Sequence, residues 1–301
     1  MGRTALNNWR RLQATILAAT LTLAPVVGHA QEGDDVAELG AKLANPLSDV
    51  WALFTEFDFI WNGGRLEDGD IDRPTYSAAF QPILPISLTD DYRLIARPTV
   101  PIVWSAPVPG PGTTGVDFDR NTGLGDTTLL LLAARKEPYP LFGGGVMAAL
   151  GTSLYFPTAT DDDLGAKQWG MGPAAALVWK NELVTVGFSP KYFWEYASED
   201  TRRPDLNQGE ILYFFFLNLP NAWQIGFAPK ITYDHRAEPH NKWNLPVGVT
   251  VAKTTKVASQ AVKFQLGLEY SVVSQDDFGK RLLLKFNVIP VIAPLIKGNI
   301  F

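Results

Sequence analysis

The chain has 301 residues, a net charge of −5 and no cysteine. The absence of cysteine excludes a disulfide framework, a thiolate zinc site and a cysteine nucleophile, and the acidic balance argues against a nucleic-acid partner. The composition is 46% hydrophobic and 12% aromatic, with nine tryptophans. After the N-terminal region no window approaches the roughly 18 uninterrupted apolar residues of a membrane helix. The hydrophobic residues are therefore spread in short steps along the chain.

Residues 1–30 have the features of a secretory signal peptide. Three arginines precede an apolar run over 12–27, and small residues then favour a cut after Ala30. An N-terminal membrane anchor is the alternative, but the run is short and Pro25 interrupts it. We therefore expect an exported protein.

The stretch 31–48 is predicted to contain a short helix. Asp34 or Asp35 can cap it, and Asn45-Pro46 ends it. Its apolar residues fall at helical spacing, namely Val36, Leu39, Leu43 and Leu47. The helix either packs in or under the mouth of the β-structure that follows, which we prefer, or acts as a plug that gates a pore.

The stretch WALFTEFDFIW at 51–61 alternates with a period of two, as a β-strand does. One set of side chains is almost wholly apolar, and the other carries Glu56 and Asp58. Similar stretches follow at 75–86, 92–104, 123–134, 142–156, 170–179, 184–196, 208–219, 223–234, 243–253, 261–273 and 280–292. About twelve strands, an even number, predict an all-β fold in which residues 49–301 form one antiparallel transmembrane β-barrel.

The connections between these stretches alternate in length. Short ones lie at 87–91, 135–141, 180–183, 220–222 and 254–260, and long ones at 62–74, 105–122, 157–169, 197–207, 235–242 and 274–279. Short periplasmic turns and longer outer loops produce this rhythm in outer-membrane barrels. We therefore expect both termini in the periplasm.

Most tryptophans fall at or beside the predicted strand ends. We predict that these rings lie at the membrane interfaces, where hydrocarbon meets headgroups. The set is Trp51, Trp61, Trp104, Trp179, Trp194, Trp223 and Trp243. The apolar strand face between two such girdles should then contact lipid.

The opposite strand faces carry charged residues, which the alternation assigns to the lumen. The predicted lumen-lining residues are Glu56, Asp58, Arg93, Arg97, Asp126, Lys191, Glu195, Glu210, Lys230, Asp234, Lys263, Glu269, Arg281 and Lys285. The two signs are balanced, whereas a strongly selective ion pore would show one sign. The set is either a web of cross-strand ion pairs that fills a narrow lumen or a polar lining that orients a solute.

Prolines interrupt several predicted strands, where each one deletes a ladder hydrogen bond. They are Pro82, Pro98, Pro173, Pro190, Pro229 and Pro290, and the alternation points all six toward lipid. Local bulges explain them most simply. The alternative is a kink that opens the wall sideways for apolar solutes.

Several short motifs together resemble a family of Gram-negative outer-membrane β-barrels, the meta-pathway phenol-degradation type, also described as transporters. They include QPILPI followed by RLIARPTVPI, GLGDTT at 123–128, YFPTAT, WGMGPA at 169–174 and WNLPVG at 243–248. The resemblance covers nearly all of the chain after the signal peptide. It implies an outer-membrane barrel that takes up small, often aromatic or apolar, compounds, and it implies no particular binding residues. The terminal Phe301 is typical of barrels recognised by the outer-membrane assembly machinery, although the tail after Pro294 does not alternate.

Three functions remain open at this point. The first is a passive channel for small solutes, the second is a structural barrel with a packed lumen, and the third is a rim hydrolase. The third needs a Ser–His pair, and His235 and His240 lie in a predicted outer loop without a serine motif. We therefore predict a non-enzymatic protein of the bacterial outer membrane, with no catalytic residues, metal or cofactor. Its expected partners are outer-membrane lipid and lipopolysaccharide, the barrel-assembly machinery and a small-molecule solute.

Overall fold

The computed structural model describes residues 34–65, 73–109, 118–199 and 205–301. The predicted signal peptide, residues 1–30, lies outside the described residues, as do parts of three predicted outer loops, 66–72, 110–117 and 200–204. No helix in the described ranges is long and apolar enough to span a membrane.

Twelve antiparallel strands close into one barrel, which confirms the predicted fold class. The strands are β1 Ala52–Gly63, β2 Arg73–Ser87, β3 Tyr92–Pro109, β4 Phe118–Leu124, β5 Thr127–Arg135, β6 Tyr139–Leu141, β7 Gly144–Phe156, β8 Gln168–Lys180, β9 Val184–Ser198, β10 Asn207–Leu219, β11 Trp223–Phe227, β12 Lys230–Asp234, β13 Trp243–Val257, β14 Gln260–Val273 and β15 Gly279–Pro290. The wall strands pair in chain order: β3 pairs with both β4 and β5, β10 and β13 each pair with both β11 and β12, and β1 pairs with β15 to close the wall.

Fifteen segments make twelve wall strands because two strands are broken in the middle. β4 and β5 pair with successive parts of β3 on either side of Gly125-Asp126, and β11 and β12 flank Ala228-Pro229. The three-residue β6 extends the turn before β7. The breaks lie inside two of the stretches that the sequence predicts as continuous strands.

The outer surface of the barrel is apolar. On β14 the exposed side chains are Leu266, Leu268, Tyr270 and Val272, with exposed fractions of 54%, 47%, 55% and 54%. The residues between them, including Lys263, Gln265 and Glu269, are buried inside. This barrel has apolar residues on its outer face and polar residues on its inner face. Such a distribution is typical of a barrel that is surrounded by lipid.

Helix α1 spans Asp34–Lys42. It ends earlier than Asn45-Pro46, and the chain continues through a turn in which the Leu47 amide donates to Asn45 Oδ1 at 2.9 Å. This turn carries the chain from the helix into β1. The short N-terminal helix is therefore present, but it is about half as long as the predicted segment 31–48.

Two of the in-strand prolines predicted to face lipid have almost no exposed surface. Pro82 is buried, and Pro229 is less than 2% exposed. Gln81 and Ile83 line the lumenal cavity on either side of Pro82, and Ala228 and Lys230 do so on either side of Pro229. The alternation therefore still directs both rings outward. After β15 the tail folds back, and the amides of Ile300 and Phe301 donate to the carbonyls of Ser87 and Leu88.

Candidate functional site in the barrel lumen

The lumen contains a cavity of ≈ 320 Å³. Its walls come from strands around the barrel, and its lining joins two kinds of surface. One is charged and polar, with residues from β1, β9, β10, β12 and β15. The other is apolar and includes Ile83, Ile95, Leu132, Phe214 and Phe216. A small solute in this cavity would therefore meet a charged belt on one side and an apolar floor on the other.

The charged belt is centred on Glu56, which is only 4% exposed. Lys230 Nζ lies 3.5 Å from one carboxylate oxygen of Glu56, and Lys285 Nζ lies 3.7 Å from the other. Lys285 also contacts Glu269 at 2.5 Å. A separate pair, Lys191 and Glu210, is joined at 3.4 Å. Buried charges are tolerated when they are paired in this way, because each partner replaces part of the lost hydration.

Arg97 lies in the same belt but has no carboxylate within ion-pair distance among the described residues. Its Nη2 donates to Gln81 Oε1 at 3.1 Å, and its guanidinium carbon lies 5.0 Å from the centre of the Phe54 ring. Its Nε is buried without an acceptor. The Gln81 amide and the face of the Phe54 ring thus hold Arg97 at the boundary between the charged belt and the apolar floor.

The end of the lumen near the short turns, here the short-turn end, is closed by the N-terminal segment. Leu47 is fully buried, and Ala44 and Asn45 are 8% and 2% exposed. Leu47 and Ala44 belong to one apolar cluster with the floor residues Ile83, Ile95 and Leu132. This segment forms the bottom of the cavity, since Leu43, Ala44 and Pro46 line it.

Three specific contacts hold this segment against the wall. Lys263 is fully buried, and its Nζ donates to the Gly40 carbonyl at 3.3 Å. Asn45 Nδ2 lies 3.1 Å from Met147 Sδ. A Cβ at Gly40 would come within 2.6 Å of Thr254 Oγ1, so only glycine allows the helix to approach β13 this closely. The helix therefore packs against the barrel wall at the short-turn end and does not extend away from it.

At the opposite end, here the long-loop end, polar contacts gather around Asp126. Its carboxylate accepts hydrogen bonds from the Tyr155 hydroxyl and from the amides of Ala159 and Ala166, at 2.9, 2.9 and 2.5 Å. The loop 157–167 is thereby tied to the break between β4 and β5. The motif GLGDTT holds this residue, and its structural role is to fix an outer loop at the mouth.

A second group of contacts joins three outer loops. Arg65 donates to the Asp277 carboxylate, and Asn241 Nδ2 donates to the same carboxylate. The Asp277 amide in turn donates to Asn241 Oδ1 at 3.0 Å. These hydrogen bonds, from Arg65 first and Asn241 second, hold the pKa of Asp277 below its ordinary value. We refer to Arg65, Asn241 and Asp277 as the loop latch.

The predicted lumen residues separate into three groups. Seven line the cavity, namely Glu56, Arg97, Asp126, Lys191, Glu210, Lys230 and Lys285. Others are at least partly buried without lining it: Glu269 pairs with Lys285, Lys263 lies under α1, and Asp58 and Glu195 each keep a buried oxygen without a hydrogen-bond partner. Arg93 lies near the short-turn end, where its Nη2 donates to the Lys136 carbonyl at 3.0 Å.

Two predicted lumen residues have other positions. Asp234 accepts from the amides of Arg236 and Ala237, so it stabilises an outer turn. Arg281 is left unmatched by an irregularity in the pairing of β1 with β15, where Lys280 lies opposite Asn62. Lys280, not Arg281, interacts electrostatically with Glu269 and Lys285. The simple alternation fails there because a β-bulge reverses the phase of the strand, and no residue pattern in the sequence marks that bulge.

The predicted interface tryptophans differ in how much of each side chain is exposed. Trp194, Trp223 and Trp243 are 49%, 45% and 46% exposed. Trp61, Trp104 and Trp179 are half-buried, and Trp104 stacks on Phe57 at 6.0 Å. Trp51 is only 4% exposed and donates its indole N–H to the Pro85 carbonyl at 3.0 Å, so it cannot serve as an interface residue. Trp169, which the prediction omitted, is 36% exposed at the long-loop end of β8.

The two histidines of the barrel do not form a catalytic pair. His235 Nδ1 lies 3.3 Å from the Tyr233 hydroxyl, and His240 Nε2 lies 2.9 Å from Arg65 Nη2. Within the described residues neither ring has a serine hydroxyl as a hydrogen-bond partner. The partners of both rings are thus tyrosine and arginine side chains.

The fold is similar to that of an outer membrane channel from Pseudomonas putida F1, with 13% identity, a TM-score of 0.59, and coverage of 90% of this chain and 100% of that one. Outer membrane phospholipase A from Escherichia coli matches with 10% identity, a TM-score of 0.42, and coverage of 88% and 100%. OprD from Pseudomonas aeruginosa matches with 6% identity, a TM-score of 0.33, and coverage of 80% and 92%. No protein-family model and no curated protein sequence matches this chain. At these identities the similarity shows the fold alone.

Proposed function

We propose that the protein is an outer-membrane channel for small solutes, with a lumen that the N-terminal segment closes at the short-turn end. The observation that carries the proposal is the cavity of ≈ 320 Å³ in the lumen beside this segment. A barrel that serves only as a structural element has no need of an unfilled, mixed polar and apolar chamber. The cavity is large enough for a small organic molecule and too small for a peptide or an oligosaccharide.

The second candidate is a structural barrel with a packed lumen and no transport. The ion pairs favour it because they fill the lumen: Glu56 pairs with Lys230 across the lumen, and with Lys285 on the adjacent strand. Lys191 and Glu210 pair between the neighbouring strands β9 and β10. The buried N-terminal segment favours it too. The two candidates differ in one respect, which is whether ions cross the folded barrel.

The location and partners belong to the same proposal. The apolar outer surface favours a lipid environment, and the predicted signal peptide favours export. We accordingly propose a bacterial outer-membrane protein that contacts lipopolysaccharide and is inserted by the barrel-assembly machinery. The sequence resemblance to the meta-pathway phenol-degradation type favours small aromatic or apolar solutes, and the apolar floor suits them.

Planar-bilayer recording of the refolded protein tests the proposal. We expect discrete ohmic steps, rare in the wild type because the N-terminal segment closes the short-turn end. Glu56→Gln should shift the reversal potential in a salt gradient toward anion selectivity, since Lys230 and Lys285 lose their shared carboxylate. Glu182→Gln, in an exposed short turn, is the matched control and should leave the reversal potential unchanged. A correctly folded barrel that never conducts, in either variant, would favour the structural alternative.

A further inference from the structure

Arg97 differs from the other cations that line the cavity. Each of the three lysines there has a carboxylate oxygen within 3.7 Å of its Nζ, whereas Arg97 has none at ion-pair distance in the part of the chain that the structure describes. A guanidinium carries five N–H donors, and among the described residues Arg97 uses its Nη2 for one hydrogen bond, to Gln81 Oε1. A buried charged donor without an acceptor costs free energy. The unused donors therefore indicate a place for an anion.

The charged side chains around Arg97 are engaged with other partners. Glu56 and Glu210 interact with Arg97 electrostatically, but both are in contact with the cavity lysines instead. Asp58 and Lys280 lie beside Glu56, and their opposite charges offset each other. None of these groups supplies the ion pair that Arg97 lacks.

The cavity lining has a surplus of positive charge close to Arg97. It contains four cations and three acids, and one of the acids, Asp126, is bound by three hydrogen-bond donors at the long-loop end. Glu269 lies behind the lining and pairs with one of the lysines. Glu56, Glu210 and Glu269 thus offset the three lysines. The charge of Arg97 is left over, and a solute with one negative charge would pair it.

Side chains of two neighbouring strands hold the guanidinium in place. Phe54 on β1 lies opposite Gln81 on β2 in the ladder, and both line the cavity beside Arg97 on β3. Gln81 accepts from Nη2 at 3.1 Å, and the centre of the Phe54 ring lies 5.0 Å from the guanidinium carbon. The remaining N–H groups of an arginine held in this way form a planar fork, which fits the two oxygens of a carboxylate.

An apolar surface begins directly beside this fork. Ile95 precedes Arg97 by two residues on β3, so it lies on the same face, roughly 7 Å nearer the short-turn end. Leu132 lies opposite Ile95 in the ladder between β3 and β5, and the two side chains are 2% and 1% exposed. Ile83 belongs to the same apolar cluster, which continues to Ala44 of the N-terminal segment. One small molecule can therefore reach both the fork and the apolar floor.

We propose that the cavity binds an amphipathic monocarboxylate, an aromatic or alkyl carboxylic acid in its ionised form, with the carboxylate on Arg97 and the apolar body on the floor. An uncharged apolar solute would leave the charge of Arg97 unpaired, and an organic cation would place a second positive charge beside it. A solute with more than one negative charge would be repelled by Glu56 and Glu210 once Arg97 is paired. This inference rests on the proposed channel function and deepens it by naming the chemical class of the solute.

Isothermal titration calorimetry of the refolded protein in lipid nanodiscs at neutral pH tests the inference. Phenylpropionate, phenylpropionamide and phenylpropylamine share one apolar body and differ in charge. Heats measured with empty nanodiscs are subtracted, since all three ligands partition into lipid. We expect the carboxylate to bind roughly ten- to hundredfold more tightly than the amide, as charge-assisted hydrogen bonds allow, and the amine to bind least.

The apolar floor predicts that affinity depends on the length of the apolar body. Phenylacetate and benzoate are successively one methylene shorter than phenylpropionate. Each step should weaken binding roughly fourfold, because one methylene fewer is removed from water. Equal affinities for the three carboxylates would contradict the placement of the apolar body on the floor.

Arg97→Met removes the fork and keeps a side chain of similar length. The affinity for phenylpropionate should fall to that for the amide, while the affinity for the amide stays within about twofold. Arg97→Lys keeps the charge without the planar fork and should give an intermediate preference. Arg236→Met is the matched control, since it removes the same charge from an exposed outer loop, and it should leave all affinities unchanged.

Heat-modifiable migration in gels checks that each variant is folded, and the ligand series on the wild type keeps the test decisive if Arg97→Met does not fold. Equal binding of carboxylate and amide by the wild type, or a full carboxylate preference in folded Arg97→Met, would overturn the site. Planar-bilayer recording separates this result from the channel function. A wild type that conducts without preferring the carboxylate loses the site and keeps the channel. One that prefers the carboxylate and never conducts keeps the site and loses the channel.

Discussion

The two ends of the lumen are held by opposite kinds of interaction. At the short-turn end, Leu47 and Ala44 complete an apolar cluster with the wall, and only a few polar contacts add to it. At the long-loop end, the described loops are held by hydrogen bonds around Asp126 and by the exposed loop latch. The first end has the character of a protein core, whereas the second depends on polar contacts, of which those of the latch are open to water.

This difference predicts that the two ends of the lumen open in different ways. Apolar packing in a dense cluster is cooperative, so the N-terminal segment should leave the lumen as a unit or not at all. Exposed hydrogen bonds exchange with water at little net cost, so the outer loops should open individually and often. We therefore expect the short-turn end to determine whether the channel conducts and the outer loops to modulate how it conducts.

The largest effect is expected from removing the N-terminal segment. Deletion of residues 31–48 should convert rare conductance steps into steady ones, because it removes the bottom of the cavity. Leu47→Ala is the milder form, and the loss of a buried leucine costs about 2–5 kcal/mol. Single-channel recording measures both. A folded truncated barrel that stays silent would contradict the view that this end limits conduction.

A smaller but more specific effect is expected at Gly40. Gly40→Ala should stabilise an isolated helix by about 0.5–1 kcal/mol, yet here the new Cβ would meet Thr254 Oγ1 at 2.6 Å. We expect the helix to be displaced and the open fraction to rise roughly tenfold, the consequence of about 1–3 kcal/mol of overpacking. Thr254→Ala removes the opposing oxygen, so the double variant should recover the wild-type open fraction. Equal effects with and without Thr254→Ala would show that the contact is not responsible.

The alternation of side chains in the sequence was sufficient to predict the barrel. Strands such as 261–273 have one wholly apolar face, and burial of a polar face in the lumen leaves no other register. The sequence did not reveal the breaks at Gly125-Asp126 and Ala228-Pro229, because they depend on what neighbouring strands and loops offer to the freed backbone groups. It also did not reveal how deeply the segment after α1 enters the lumen.

The chemical character of the candidate site could be predicted from the sequence, but the contacts between its residues could not. The period of two was enough to assign Glu56, Lys230 and Lys285 to the same interior. The contact of Glu56 with Lys230 on a non-adjacent strand depends on the stagger of the closed barrel, which no single strand encodes. Arg281 shows the limit, since one bulge in the β1–β15 ladder moved Lys280 into its expected place. Trp51 shows another, because its buried indole donates to the Pro85 carbonyl instead of facing the membrane interface.

At the long-loop end of the lumen, Asp126→Asn should have an effect of intermediate size on the loop 157–167 and on the conductance. The amide has one acceptor oxygen, so at least one of the three donors from Tyr155, Ala159 and Ala166 loses a good partner, at a cost of about 1–3 kcal/mol. We expect the loop 157–167 to loosen and trypsin to cut faster after Lys167. Tyr155→Phe removes one donor and should have a smaller effect. Conductance should become noisier without becoming steady, and steady opening would contradict the division of roles between the two ends.

The smallest effect is expected from the loop latch, where the pH dependence has a definite sign. The pKa of Asp277 is lowered by its hydrogen bonds from Arg65 and Asn241. The latch therefore contributes its full stability above the ordinary pKa of an aspartate and loses it as the pH falls through the lowered value. Hydrogen exchange of the amides at 274–279, corrected for the intrinsic rate, should show protection that fades over this acidic range. High salt should weaken the protection at neutral pH, because the groups are exposed.

Asp277→Asn should abolish that pH dependence and leave the amides at 274–279 poorly protected at every pH. Arg236→Ala is the matched control, since it breaks the exposed ion pair with Asp205, 2.6 Å long, which joins the loop of Asn241 to the loop 197–207 without involving Asp277. We expect it to leave exchange at 274–279 unchanged. Because water competes for both ion pairs, neither variant should alter the fraction of time that the channel conducts. If Asp277→Asn opened the lumen as widely as deletion of 31–48, the polar loops and not the apolar plug would be the barrier.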